Sequence, residues 1–321
     1  MSKIKILTGI KIPQCPVWSS RTDFLFEKTQ RKGTISNFLH LLIASRKYDV
    51  VITAGSRYAQ LFGLYRTLFR KKTPRHIILE LMLDEERVDL LWRTKVSFQR
   101  FCFSSVDVVY VSARREIDVY AKRLGLPKDR IRFLPFHTNI IEPRMVLSTG
   151  GYIFAAGKTG RDFATLAAAV EGLDVKVVVV SDQYHLQGIN FPPNVEVHCD
   201  IPYEHYMELL HGSNMVVVPL KKLVKSTGQV VFLEAMALGK PAVVTKTVGS
   251  EDYIEHNVTG ILVPPEDMHA LRQAVINFIE DPEYYKTLAV QAFEKIKEKH
   301  TFEVYTRNIL NTVQEIAYSS R

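Results

Sequence analysis

The chain has 321 residues, 46% of them hydrophobic and 24% charged, which supplies buried cores and excludes an intrinsically disordered protein. No run of about 18 apolar residues occurs, so no spanning helix is expected, and three scattered cysteines (Cys15, Cys102, Cys199) fit neither a disulfide framework nor metal-ligand spacing. The net charge of +8 is uneven, with 27 Lys+Arg against 13 Asp+Glu in residues 1–150 and 15 against 21 in residues 151–321. This points the first half toward an anionic partner or gives it a plain solvated basic surface.

In chain order, KIKILTG near the start reads as a strand, since MSKIKILTGIKIPQ lacks the long apolar segment and cleavage site of a signal peptide. A reducing cytosol is the expected compartment. The loop PQCPVWSSRTDF follows, with Ser19, Ser20 and Arg21 available to a phosphate. The strands YDVVITAG, HIILELML, VDVVYVS and IRFLP then alternate with helix-length segments at 34–46, 57–70, 90–104 and 114–124. The stretch 139–152, NIIEPRMVLSTGGY, holds a Pro and a Ser-Thr-Gly-Gly cluster without clear period, and reads as a hinge.

After it the alternation restarts. Strands YIFAAG, VKVVVVSD, NVEVHC, NMVVVPL, PAVVT and GILVPP are separated by helices near 161–171, 203–211, 229–238, 250–256 and 267–280. Residues 282–318 read as helical throughout, with Asp281 as cap and Pro282 in the first turn. Val- and Ile-rich runs bounded by turn residues suit parallel strands covered on both faces. The expected architecture is α/β, with two doubly wound, Rossmann-like domains at 1–145 and 150–300 and a terminal helix at 301–321 that packs back on the first domain. Ligands of such sheets bind at the carboxyl ends of the strands, so every loop after a strand is a site candidate.

Two such loops carry suitable chemistry. In AAGKTGRDFATLAAAV, Gly157 and Gly160 permit close backbone approach, and Lys158 and Arg161 add cations at a helix start, the arrangement an anion needs. An ordinary βα turn with surface cations fits the same residues. In KSTGQVVFLEAM, Ser226, Thr227, Gly228 and Gln229 stand at another helix start. Glu234 lies further along among apolar neighbours, where a carboxylate must face water or a partner. A diol such as ribose is one such partner.

The run VVFLEAMALGKPAVVTKTVGSEDYIEHNVTGILVPPEDMHALRQAV, with DPEYYKTLA and HTFEVYTRNIL after it, resembles the C-terminal domain of glycosyltransferase family 4. The resemblance is strong over about 190–318, weaker back to 151, and only in outline before that. It implies the GT-B fold, with two Rossmann-like domains facing a central cleft. It also implies a retaining transfer of sugar from a nucleotide diphosphate donor, most often UDP, to a saccharide or lipid-linked acceptor. No metal or other cofactor is implied. Glu234 matches the second of the family's two glutamates eight positions apart, which holds the donor ribose. Ser226 stands where the first would fall. Lys158 and Arg161 lie where the family places cations against the diphosphate, with Ser226, Thr227, Gly228 and Gln229 as the second phosphate turn.

For the acceptor, the stretch ILELMLDEERVD offers Glu80, Asp84, Glu85 and Glu86 at a strand end. Asp84 is the candidate for contact with the acceptor hydroxyl, and reads as well as a helix-start cap of EERVDLLWR. His137 in FLPFHTNI is a second candidate, or a structural histidine. The basic stretches 63–76 and 90–103 interleave cations with Leu, Phe and Trp. They suit an anionic membrane surface on the inner face of a cytoplasmic membrane, or a core with solvated cations. No nucleic-acid-binding module is recognised. A GT-B nucleotide-sugar epimerase and a non-catalytic nucleotide-sugar-binding protein are the alternative readings.

Overall fold

Valine and isoleucine runs form strands here because both faces of each sheet are covered by helices. The computed structural model describes residues 4–12, 15–25, 34–84 and 86–318. They divide into two units, Met1–Pro135 with Phe302–Arg321, and Phe136–Thr301.

The first unit runs β1 (Ile6–Thr8), α1 (Pro16–Arg21), β2 (Thr22–Phe24), α2 (Thr34–Ser45), β3 (Val50–Ala54), α3 (Ser56–Leu68), β4 (Arg75–Leu79), α4 (Leu90–Phe103), β5 (Val108–Val111), α5 (Glu116–Leu124) and β6 (Ile131–Phe133). All six strands are parallel in the order β2-β1-β3-β4-β5-β6. On one face Ile6, Val50, Ile52 and Ile77 pack with Tyr305, Ile309, Val313 and Ile316 of the last helix, Phe302–Tyr318. Arg132 holds that helix through both oxygens of Glu315, at 2.6 and 2.7 Å.

Two elements of this unit lie where a loop was expected. Residues 16–21 form α1 with proline in the first turn, fixed by Trp18, which is 1% exposed. Strand β2 has three residues, too few to display an alternation. Ser19 and Ser20 donate to the carbonyls of Ile12 and Val17. The basic stretches also divide. Arg66 is buried, donating to Asp107 Oδ2 at 2.9 Å and to the Ser105 carbonyl, while Trp92 and Phe103 are core. Leu68, Phe69, Leu90, Leu91, Phe98 and Phe101 are exposed.

The second unit runs β7 (Tyr152–Ala156), α6 (Phe163–Val170), β8 (Lys176–Ser181), α7 (Gln183–Leu186), β9 (Val195–Cys199), α8 (Tyr203–Gly212), β10 (Met215–Val218), α9 (Gln229–Ala237), β11 (Ala242–Thr245), β12 (Ile261–Val263), α10 (Met268–Glu280) and α11 (Pro282–Lys299). Its six strands are parallel in the order β12-β11-β10-β7-β8-β9. Its core joins Ile153, Phe163, Val177, Val217 and Val243 to Leu271, Val275 and Leu288 of α10 and α11. Each such side chain contributes roughly 1.5–3 kcal/mol on full burial.

The stretch 139–152 is pinned to this unit. Arg144 N and Val146 N donate to the carbonyls of Ala237 and Leu238, and Gly150 N donates to Gly212. Lys240 Nζ, almost fully buried, donates to Ser148 Oγ and the His211 carbonyl, and loss of water brings its ammonium down to about 8. Residues 250–256 form turns rather than the expected helix. Ser250 ties back to Thr247 and Thr245, and Asn257 adopts a left-handed conformation, φ 63°. The helical stretch 282–318 breaks at His300, whose carbonyl accepts from Thr138 N and whose ring bonds to the Phe136 carbonyl. Asp281 caps α11 through Tyr284 N at 3.0 Å.

Candidate functional site

The strand order of the second sheet reverses between β7 and β10, which are themselves parallel. Chain order places β8 and β9 on one side of that seam and β11 and β12 on the other. A seam of this kind opens a crevice at the carboxyl ends of the strands. The loops that leave β7 and β10 there are tied together. Asp162 N donates to the Pro219 carbonyl, Lys221 N donates to the Gly160 carbonyl, and Arg161 bridges Leu220.

The β7 turn is built around Gly157, at φ 115°, a conformation that side chains other than hydrogen rarely tolerate. The guanidinium of Arg161 lies where a Cβ on Gly157 would stand. Arg161 donates Nε to the Ala156 carbonyl at 2.7 Å and Nη1 to the Thr159 carbonyl at 3.1 Å. No carboxylate pairs with it among the described residues. Loss of water lowers its pKa to about 10, partly opposed by the nearby Tyr206 phenol. An unpaired, desolvated cation fixed by backbone carbonyls is suited to an anionic ligand. Lys158, by contrast, is exposed and lies 3.4 Å from Asp182. The hydrogen bonds from His185 hold that carboxyl at about 2. Asp162 caps α6 through Thr165 N at 3.2 Å.

Ser226, Thr227, Gly228 and Gln229 form the turn into α9. Gly228 is the N-cap, left-handed at φ 95° and without a side-chain cap, and its carbonyl accepts from Val231 N and Phe232 N, so the N–H groups of Gln229 and Val230 lack a partner within the helix. Thr227 and Gln229 are buried.

Glu234 lies one and a half turns into α9 and is 0% exposed. Its Oε1 accepts from Asn139 Nδ2 at 3.1 Å, and its Oε2 from the Tyr206 hydroxyl at 2.7 Å. Burial raises the carboxyl pKa, against these two bonds, which favour the ionised form. Burial, with the facing carboxylate, pushes the Tyr206 phenol well up. Tyr206 also stacks on Tyr203, with ring centroids 5.8 Å apart and planes 19° apart. Arg161, Tyr206 and Glu234 therefore form one electrostatic group.

The acid partners Tyr206 and Asn139 were not among the sequence candidates. An aromatic pair at i and i+3 opening α8 was the available signal for Tyr206, while Asn139 left none. Of the acceptor-side candidates, Asp84 lies in the first unit and pairs with Lys95. The cap of α4 is Asp89, through Trp92 N at 2.8 Å. Glu80, left-handed at φ 53°, ends up after β4 with its pKa raised by burial, and Glu85 lies outside the described residues. His137 lies in the second unit, buried and stacked on Phe136 at 4.7 Å. Its ring bonds to the Thr138 carbonyl, and burial lowers its pKa.

Residues 169–295 match the family model of glycosyl transferases group 1. Over 87 residues, 27% of this chain and 21% of the relative, the sequence is 30% identical to the alpha-1,3/1,6-mannosyltransferase ALG2 of Homo sapiens. Over 135 residues it is 26% identical to the sucrose synthase of Acidithiobacillus caldus, spanning 41% of this chain and 17% of that protein. The matched segments thus span about a fifth of these relatives' lengths. Among solved structures, Anabaena HepE in complex with UDP-glucose superposes with a TM-score of 0.71 at 14% identity, over 97% of this chain and 100% of that one. The sucrose-phosphate synthase of Thermosynechococcus elongatus gives 0.69 at 19% identity, over 94% and 84%. The chain has the fold of the GT-B glycosyltransferases, and residues 169–295 of its second unit are similar to the glycosyl transferases group 1 family.

Proposed function

We propose that the chain is a glycosyltransferase that moves a sugar from a nucleoside diphosphate donor, UDP in the first instance, to a saccharide or lipid-linked acceptor, with retention and without a metal. The observation that carries this reading is the pairing at one sheet edge of an uncompensated cation, Arg161, with the N-terminus of α9. The group 1 domain and the UDP complexes of the HepE structures support it. As the bond from the anomeric carbon to the diphosphate oxygen breaks, charge develops on the leaving phosphates. Donors already aimed there stabilise it without reorganising. The acceptor oxygen forms the new bond, and its proton passes to an oxygen of the departing diphosphate.

Glu234 is the ribose ligand in this reading. The ribose hydroxyls take up lone pairs that Tyr206 and Asn139 hold in the free protein, so binding exchanges one set of donors for another. Lys158 assists at the diphosphate. Asp84 and His137 stand as the acceptor-side candidates. The experiment is nucleotide release from a panel of nucleotide sugars. Release that requires a saccharide or lipid-linked acceptor is expected. Binding without turnover under any acceptor would favour the non-catalytic reading.

A membrane surface belongs to the same proposal. Helix α2 exposes Ile35, Leu39 and Ile43 at helical spacing, and exposed Arg46 and Lys47 follow it. Helix α4 exposes Leu91, Phe98 and Phe101 among Arg93, Lys95 and Arg100. No helix among the described residues is long and apolar enough to cross a membrane. Such a face binds at the interface through apolar insertion and attraction to anionic lipid. Flotation with liposomes containing phosphatidylglycerol is expected, and Leu91→Glu with Phe98→Glu should abolish it. Equal flotation with neutral liposomes would remove the electrostatic part of the idea.

A further inference from the structure

The loops that follow β7, β10 and β11 converge on Thr227. A Cβ on Gly160 would meet Thr227 Oγ1 at 3.0 Å, and one on Gly249 would meet Thr227 N at 2.7 Å. Two residues from that contact on each of the latter loops stand Gln229 and Thr247, each 8% exposed. The Nε2 of Gln229 and the Oγ1 of Thr247 are buried with no hydrogen-bonding partner among the described residues. Buried polar groups are seldom left so, and those that are call for an explanation. Beside them, Thr245 Oγ1 accepts from Leu220 N, and Ser250 Oγ both accepts from Thr247 N and donates to the Thr245 carbonyl.

The character of the place is that of a donor. Gln229 Nε2 carries hydrogens, Thr247 carries one, and the first N–H groups of α9 lie at the same turn. Of the nearby acids, Glu234 accepts from Tyr206 and Asn139, and Glu251 lies 3.5 Å from Lys246. A sugar hydroxyl has a hydrogen of its own to place, and of these two groups only the Thr247 oxygen could take it, whereas an oxygen with lone pairs alone can accept from both at once. A carbonyl-type oxygen brings only lone pairs.

We propose that Gln229 and Thr247 select the transferred sugar, and that this sugar carries a carbonyl-type acceptor, the carboxylate of a uronic acid or the amide oxygen of an N-acetyl group. The inference rests on the nucleotide-sugar reading above. The α9 turn then serves twice, its backbone N–H groups addressing the diphosphate with Arg161 and Lys158, and the Gln229 side chain, with Thr247, addressing the sugar beyond it.

Calorimetric titration of UDP, UDP-glucose, UDP-glucuronic acid and UDP-N-acetylglucosamine tests it. One of the last two is expected to bind about tenfold more tightly than UDP-glucose, the size of one good hydrogen bond. Which of the two binds identifies the acceptor group. In Gln229→Met and in Thr247→Val, both close in volume to the native residue, that preference should fall to within about twofold. Gln229→Glu, which places an acceptor at the same atom, should turn the preference toward UDP-glucose. UDP binding without the preference, or a preference that survives Gln229→Met, overturns this inference alone. Failure of UDP, GDP and ADP all to bind overturns it together with the nucleotide reading.

Discussion

Glu234→Gln is expected to weaken UDP binding by at least about tenfold, since the charge-assisted hydrogen bonds it removes are worth roughly 1.5–3 kcal/mol each. The loss should be specific to the ribose. Wild-type protein should prefer UDP to 2′,3′-dideoxy-UDP, and the variant should lose most of that preference, a comparison that isolates the pairwise contact. An unchanged ratio would make Glu234 a purely structural acid, bound to Tyr206 and Asn139 within its own unit. Glu234→Ala has a second consequence, because it leaves the Tyr206 phenol without its acceptor, whereas the exposed Asn139 amide can turn to water. The lost phenol contact costs about 1–3 kcal/mol, to be read as a fall in the denaturation midpoint.

The same residue gives a pH signature. Burial raises the Glu234 carboxyl above its ordinary value of 4.5 in the folded state. The folded protein then binds this proton more tightly than the unfolded chain does. The contribution to stability is full below the ordinary value and declines as pH rises toward the raised folded value, beyond which it is constant. Glu234→Gln is neutral at every pH and should flatten that part of the stability profile.

Arg161→Met is expected to lower UDP affinity by about a hundredfold, from two charge-assisted contacts at roughly 1.5 kcal/mol each, while leaving uridine affinity nearly unchanged. Arg161→Lys should fall between, since an ammonium keeps the charge but not the planar fork that serves two backbone carbonyls and a ligand at once. Lys158→Ala should have the smaller effect, about threefold to tenfold, because Lys158 is exposed and already shared with Asp182. Equal losses of uridine and UDP in Arg161→Met would show that the residue braces the turn without addressing the phosphates.

Much of this was legible in the sequence, for identifiable reasons. The strands at the centre of the second unit are Val-rich runs, and Asp281 marks a helix start by a side-chain cap that the sequence displays. Thr227, Gly228 and Glu234 stood out because glycine and a carboxylate are conspicuous against an apolar helix pattern. What failed to show depended on contacts distant in sequence. Helix α1 owes its place to Trp18 in a core it shares with the final helix. The stretch 139–152 looked like a hinge because its hydrogen bonds run to Gly212, Ala237 and Leu238, far along the chain. Arg66 passed for a surface cation because nothing local reveals Asp107, 41 residues away. Glu234 was readable as an acid needing a partner, but Tyr206 and Asn139, 28 and 95 residues away, were not.

The central claim is that the carboxyl edge of the second sheet binds a nucleoside diphosphate at the Arg161 turn and the α9 N-terminus. Calorimetric titration of UDP into the whole chain, wild type beside Arg161→Met, measures this directly. The expected result is one site per chain in the wild type, with affinity that falls about a hundredfold in the variant and weakens as salt is raised. Absence of binding by UDP, GDP and ADP in the wild type, or identical affinity in Arg161→Met, would contradict it.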